Sequence, residues 1–339
     1  MAKLRIGVLY DFWWDEDEEQ DEVERPKRKA PEEDVQDVYD ALKEVGHSPV
    51  FLRLDGTTQS LIDLAQSETD LIFNLVESFA GNDTLDSAVA GYLELLDRKF
   101  TGADSHGLYL AQDKALAKKI FAFHGIHTPY FATVYRGRTE HAHDIQFPVI
   151  VKPAREDGSI GIHFGAVCGS IKELMERIDY IHAEFDSPAL IEEYIEGREL
   201  YVGVLGNEKP EALPVVELDL SKLPKGTPKI AGSEVKWEED TEAYKKTWPF
   251  IPEDMDEDLV KRIQDTAVQA FSALQLRDYG RIDFRLAADG TLHVLEVNPN
   301  PYLLPSAEFT MAAKQSGRSY SELIGKIVDL ALGRYPSSS

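Results

Sequence analysis

A single cysteine, Cys168, occurs in 339 residues. An intramolecular disulfide framework and a cysteine-built zinc site are therefore excluded. No run of 18 apolar residues occurs, so nothing reads as a membrane-spanning helix. Positive charge is scarce: 36 Lys and Arg stand against 61 Asp and Glu, a formal net charge of −25. Such a surface repels nucleic-acid backbones and anionic membranes, although a locally basic cleft could still hold a small polyanion. Residues 1–10 lack the apolar stretch of a secretory leader, so a reduced, cytoplasmic protein is expected. The Gly-x-Ser-x-Gly elbow and the His-Glu-x-x-His helix are also missing, which leaves common serine-hydrolase and zinc-protease chemistry without support.

What is present is ordinary for a globular chain: 43% apolar and 29% charged residues, in a length that suits roughly two to three domains. Residues 3–10 read as a first buried strand. The acidic and basic run over 15–29 reads as a solvated loop. A helix follows Pro31, with Val35, Val38, Leu42 and Val45 on one stripe and Gly46 at its end. Strands over 47–54 and 70–75 then imply a parallel α/β unit over residues 1–110. Beyond it, helices are expected over 112–124 (apolar face Leu116, Ile120 and Phe123), 170–185, 254–276 and 319–332. Strands are expected over 147–153 and 189–194. Residues 219–252 read as one long ordered loop, which in compact domains is usually functional.

The strongest chemical signal is the pair of alternating runs around Asp289-Gly290. Asp-Gly suits a two-residue type I′ hairpin turn. That register sets Asp283 opposite Glu296 and Arg281 opposite Asn298. Opposed carboxylates destabilise a bare sheet. A divalent cation would relieve them, and two carboxylates plus an Asn carbonyl are suitable Mg²⁺ ligands. An ion network with Arg281 or Arg285 is the alternative. Lys152 closes a strand just before the loop 158–161, whose Ser159 and Gly161 suit a phosphate cradle, and Lys114 heads a helix. Each is weak alone. The segment Glu192-Glu193-Tyr194-Ile195, with Glu199 beyond, could present backbone to a base and a carboxylate to a ribose, or could be a solvated strand end. His141 and His143 lack a third ligand. Trp13, Trp14, Trp237 and Trp248 suit core or lid packing.

Five blocks, in order, carry a resemblance: Gln112-Asp113-Lys114, residues 149–156, Leu190-Ile191-Glu192-Glu193, residues 280–283 and residues 295–298. Together they resemble ATP-grasp enzymes, most of all the D-alanine–D-alanine ligase group, over residues 85–332. The resemblance implies an α/β ATP-grasp fold, with the N-terminal unit followed by two α+β subdomains clasping ATP, at 111–205 and 206–335. It implies an ATP- and Mg²⁺-dependent carboxylate–amine ligase working through an acyl phosphate on amino-acid or peptide-like substrates. An ATP-grasp phosphotransferase or a nucleotide-binding regulator would share much of the pattern.

By position, Lys114 and Lys152 would contact ATP phosphates under a loop holding Ser159 and Gly161. Glu192 and the backbone of Glu193 and Ile195 would face adenine, and Glu199 the ribose. Asp283, Glu296 and Asn298 would hold two Mg²⁺, or Mn²⁺ in their place. Arg281 would stabilise the transferring phosphoryl group or the oxyanion, and Lys236 matches a lysine of the loop that closes over ATP. Members are often dimeric, so a homodimer is implied. The substrate half departs from the family. Residues 11–14 stand where a glycine-rich turn is usual, and 76–83 where a His-Gly element is usual. Tyr302, Ser306 and Glu308 fall where glycine and serine meet the acceptor carboxylate. Glu77 is a candidate for a substrate amine. Glu308 hints at an acceptor that is cationic or has no free carboxylate.

Overall fold

The structure is a computed structural model that describes residues 3–11, 32–136, 138–140, 146–156, 158–185 and 187–335. The expected charged loop over 15–29, Trp13, Trp14, His141 and His143 lie outside these residues. Among the described residues no helix is long and apolar enough to cross a membrane.

Three sheets organise the chain. The first is parallel, in the order Ser48–Leu54, Arg5–Asp11, Leu71–Asn74. Parallel strands need crossovers, and the helices Glu32–Glu44 and Thr58–Gln66 supply them. Val35, Val38 and Leu42 are buried, as their spacing predicts, and Gly46 takes φ +94 after the helix end.

The second sheet is antiparallel, in the order Arg138–Glu140, Phe131–Tyr135, Ala189–Glu193, Val149–Pro153, Val167–Cys168. The helix Ile171–Glu184 packs on it, capped by Ser170. The third sheet is antiparallel too, in the order Pro249–Phe250, Val216–Leu218, Gly197–Leu205, Tyr279–Ala287, Leu292–Asn298. Its strand Gly197–Leu205 is nearly all buried and pairs along its full length with Tyr279–Ala287. Sheet membership therefore places residues 197–205 with the third sheet, whereas a boundary at 205 was expected. Gly203 matters here: a Cβ would come within 2.8 Å of the Phe309 ring. Its absence lets the helix Glu308–Gln315 lie close on the sheet.

Three sequence expectations need correction. The helix Lys114–Phe123 buries Lys114, Ala115, Ala117, Lys118 and Phe121; of the expected Leu116/Ile120/Phe123 face, Leu116 and Ile120 pack partly buried against the core, but Phe123 is 86% exposed. Residues 219–252 are not a single loop, since they contain the short helices Ser233–Lys236 and Glu242–Lys246 and the strand Pro249–Phe250.

The third correction concerns the hairpin. Its loop has three residues, because the Ala287 N–H donates to the Thr291 carbonyl at 2.9 Å and Gly290 sits at φ +84. That turn shifts the register by one, so Phe284 faces Val294. A bulge between Asp283 and Phe284 on one side, with Leu295 as the extra residue on the other, then restores the expected pairs. Ile282 faces Val297, Asp283 faces Glu296 and Arg281 faces Asn298.

Candidate active site

The site lies where the end of the second sheet meets the Tyr279–Ala287/Leu292–Asn298 hairpin. Alternation puts Arg281 and Asp283 on one face of their strand, and Glu296 and Asn298 on the same face of the next. Asp283 is 3% exposed. The Arg281 guanidinium grips it as a fork, Nε to Oδ1 at 2.7 Å and Nη2 to Oδ2 at 2.9 Å. Asn298 Nδ2 donates to Asp283 Oδ2 at 3.2 Å, which turns its own carbonyl oxygen away from that bond. Arg281 also lies over the Tyr201 ring, 5.0 Å from its centre, and 3.4 Å from Glu308 Oε2.

The two facing carboxylates are driven apart. Burial pushes Asp283 above the usual range; the Arg281 fork opposes the rise and Glu296 adds to it. Burial would raise Glu296 as well, but Lys114, Lys152, Lys236 and Arg281 outweigh it and hold the group well below its usual range. Lys114 Nζ is 3.5 Å from Glu296 Oε2 and donates to the Glu156 carbonyl at 2.8 Å. The arginine network weighed above thus exists: the Arg281 fork holds Asp283, while Lys114 pairs with Glu296. The residues fit a hard divalent cation: two opposed carboxylates and an amide oxygen on one face of the hairpin.

On the second sheet, Glu192 is 1% exposed and held between two lysines. Lys118 Nζ is 2.6 Å from Oε1, and Lys152 Nζ is 3.0 Å from Oε2. Burial is the largest influence on Glu192, but the two lysines overcome it and lower its pKa. Burial likewise draws Lys118 down to about 8, against the pull of Glu192. Sequence reasoning missed Lys118. Its only signal is a position one helical turn after Lys114, on the same face.

Two loops, 158–164 and 231–237, are joined to each other by four cross-links. Ser159 Oγ donates to the Ala231 carbonyl (2.9 Å) and the Ser233 N–H to the Ile162 carbonyl (2.8 Å). The Phe164 N–H donates to Glu234 Oε1 (2.8 Å), and Trp237 Nε1 to the Gly158 carbonyl (2.8 Å). Ser159 and Gly161 both have positive φ, +65 and +68, and a Cβ at Gly161 would meet Pro153 and the Phe185 ring within 3 Å. Buried Arg177 fixes this loop by donating to the Gly161 carbonyl, while its Nη1 meets His163 Nε2 at 2.7 Å. Lys236, in the second loop, is near enough to lower both Asp283 and Glu296.

Other expected residues are placed less simply. The Glu193 N–H donates to the Tyr130 carbonyl at 2.9 Å, and Ile195 follows half-buried beyond the strand end. Both oxygens of Glu199 have partners: Arg285 Nη2 at 2.6 Å and the Tyr201 hydroxyl at 3.0 Å. Tyr302 donates to Glu77 Oε2 at 3.4 Å, and its ring meets the Trp237 ring edge-on at 6.3 Å. Glu308 starts the helix Glu308–Gln315 and faces Arg281. Ser306 is exposed in the turn before that helix and makes no bond to the cluster.

Comparison with known proteins gives the family and the fold. A family model described as "D-ala D-ala ligase C-terminus" matches residues 120–329. An uncharacterized protein, y4sG, of Sinorhizobium fredii is 33% identical, covering 92% of this chain and 91% of its own length. A D-alanine–D-alanine ligase of Aquifex aeolicus is 32% identical, covering 86% of this chain and 92% of its own length. The fold matches the crystal structure of a Bacillus anthracis D-alanine–D-alanine ligase complexed with ATP, with a TM-score of 0.73, 21% identity and 98% of each chain covered. The chain belongs to the D-alanine–D-alanine ligase family, and it is an ATP-dependent C–N ligase with the ATP-grasp fold.

Proposed function

We propose that the protein joins a carboxylate to an amine in two steps, with Mg-ATP as the activating reagent and amino-acid or peptide-like substrates. The observation that carries this reading is the opposed Asp283–Glu296 pair, with Arg281 beside it and lysines 114, 152 and 236 around it. Asp283, Glu296 and Asn298 would hold Mg²⁺, which supplies charge neutralisation for the phosphates. Lys114 and Lys152 bind the phosphate chain under the loop 158–161. Glu192 and the backbone at Glu193 and Ile195 border the base, and Glu199 the ribose.

In the first step the donor carboxylate oxygen attacks the γ-phosphorus, the bond to the bridging oxygen breaks, and ADP leaves. Arg281 stabilises the charge on the phosphoryl oxygens. In the second, the amine attacks the acyl carbon, the carbon–oxygen bond to phosphate breaks, and the amine gives up a proton. The cross-linked loops at 158–164 and 231–237 exclude water, which would otherwise hydrolyse the acyl phosphate. Glu77 with Tyr302, and Glu308, border the substrate space. Glu308 favours an acceptor that is cationic or carries no free carboxylate, because Arg281 only partly neutralises it.

The test is ADP release with Mg-ATP against pools of D- and L-amino acids, short peptides and polyamines, with mass spectrometry for new amides. The Asp283→Asn/Glu296→Gln variant is the blank. A pool that yields both ADP and an amide, absent in the blank, is the expected result. ADP release with a phosphorylated product and no amide would replace the ligase reading with a phosphotransferase.

A further inference from the structure

Two buried lysines share one buried carboxylate, and their surroundings differ. Lys118 is 1% exposed, and its ammonium has three N–H bonds to give. It has three partners: Glu192 Oε1 at 2.6 Å, Thr128 Oγ1 at 2.6 Å and the Leu295 carbonyl at 3.1 Å. That carbonyl belongs to the extra residue of the bulge, which leaves the strand ladder there. Lys118 is thus enclosed among three partners, two by hydrogen bonds and Glu192 by an ion pair. Lys152 is 5% exposed and, among the described residues, has Glu192 Oε2 as its one partner, at 3.0 Å. It stands at the end of the strand Val149–Pro153, immediately before the loop that carries Ser159 and Gly161.

An ammonium with donors to spare, just before the loop that carries Ser159 and Gly161, can change partners. It can do so only if Glu192 is not left uncompensated, because a lone buried carboxylate is strongly unfavourable. We infer that Lys118 is the resident counter-ion of Glu192, and that it thereby frees Lys152 to move from Glu192 to the nucleotide phosphates. Lys118 is a positioning residue: it touches no nucleotide itself and acts through Glu192 on Lys152. Its bond to the Leu295 carbonyl also pins the bulge that presents Glu296. The inference rests on the nucleotide-binding part of the proposed function, not on the identity of the substrates.

The test compares wild type, Lys118→Met and Lys118→Met/Glu192→Gln by calorimetric binding of two probes. One is a Mg²⁺-loaded, non-hydrolysable ATP analogue; the other is adenosine, which has no phosphates. Lys118→Met should weaken the analogue by about tenfold or more, since Lys152 stays with Glu192 and one charge-assisted phosphate contact is lost. Adenosine binding should stay within about twofold. Adding Glu192→Gln releases Lys152 and should bring the ratio of analogue to adenosine affinity back towards wild type, any loss at the base being carried by both probes. Analogue binding by Lys118→Met at wild-type strength would overturn the inference, as would equal losses for both probes or a double variant that recovers nothing. Should Lys118→Met alone not fold, the double variant decides: an analogue-to-adenosine affinity ratio within about threefold of wild type supports the counter-ion role, and a larger fall in that ratio sinks it. Wild type that binds neither probe would overturn the nucleotide reading itself and this inference with it.

Discussion

Two buried aspartates lie five residues apart, Asp278 just before the strand Tyr279–Ala287 and Asp283 in its middle, and they serve opposite ends. Asp278 is fully buried, and its oxygens meet Arg334 twice (2.9 and 2.8 Å), the Gly102 N–H (2.9 Å) and Asn207 Nδ2 (3.2 Å). Those partners come from three distant segments, so Asp278 fastens the N-terminal unit and the C-terminal helix to the third sheet. Asp283 is nearly as buried, yet its partners are local, and another carboxylate faces it across the ladder. A saturated buried charge reads as architecture. A buried charge set against a like charge costs stability in the absence of a ligand, and that pattern marks a site.

Two experiments would break this comparison if it is wrong. The largest expected effect is on turnover. Asp283→Asn with Glu296→Gln should lower Mg-ATP turnover by about a thousandfold or more, since a metal ion contributes several kcal/mol to stabilising transferred charge. In metal-free buffer the same variant should melt within about 2 °C of wild type, because the lost ion pairing is offset by relief of the repulsion. Asp278→Ala should do the reverse. It leaves Arg334 without its carboxylate and should destabilise the fold by about 3–5 kcal/mol in chemical denaturation, while turnover per folded molecule is retained. Next in size is the response to Mg²⁺. Free Mg²⁺ at about a hundred times its dissociation constant should stabilise wild type and Asp278→Ala by about 2.7 kcal/mol. It should leave the Asp283→Asn/Glu296→Gln variant unmoved.

Much of this contrast was legible in the residues themselves. The Asp283–Glu296 and Arg281–Asn298 pairs follow from alternation and a tight turn, although for a reason that fails in detail. A two-residue turn gives these pairs directly; the structure reaches them by a three-residue turn and a bulge whose register shifts cancel. The bulge has a trace in the sequence: Val294 and Leu295 are adjacent apolar residues where strict alternation demands one. Lys118 was invisible because a lysine on a helix is a surface residue by default, and only the fold shows Glu192 and the Leu295 carbonyl waiting for it. The Asp278 fastening was hidden for a related reason. Its partners at 102, 207 and 334 are far apart in the chain, and nothing local announces them.

The smallest expected effect concerns a third buried carboxylate, Glu192, and sharpens the contrast through pH. Its two lysines hold its pKa in the folded chain below the ordinary value of 4.5, against burial, whereas Asp283 is raised. A depressed carboxylate gives stability that is present above its unfolded pKa and fades as pH falls through the folded one. A raised one works with the opposite sign: protonating it costs the folded state less than the unfolded, so its ionisation weakens the fold as pH rises. In denaturant titrations below about pH 4.5, Glu192→Gln should therefore flatten the acid loss of stability seen in wild type. Asp283→Asn should steepen it above about pH 3.8, where the folded group still holds a proton that the unfolded one has lost. Equal slopes for the two variants would mean that the two acids are stabilised alike. The division between a compensated carboxylate and an opposed one would then not describe how this fold stores charge.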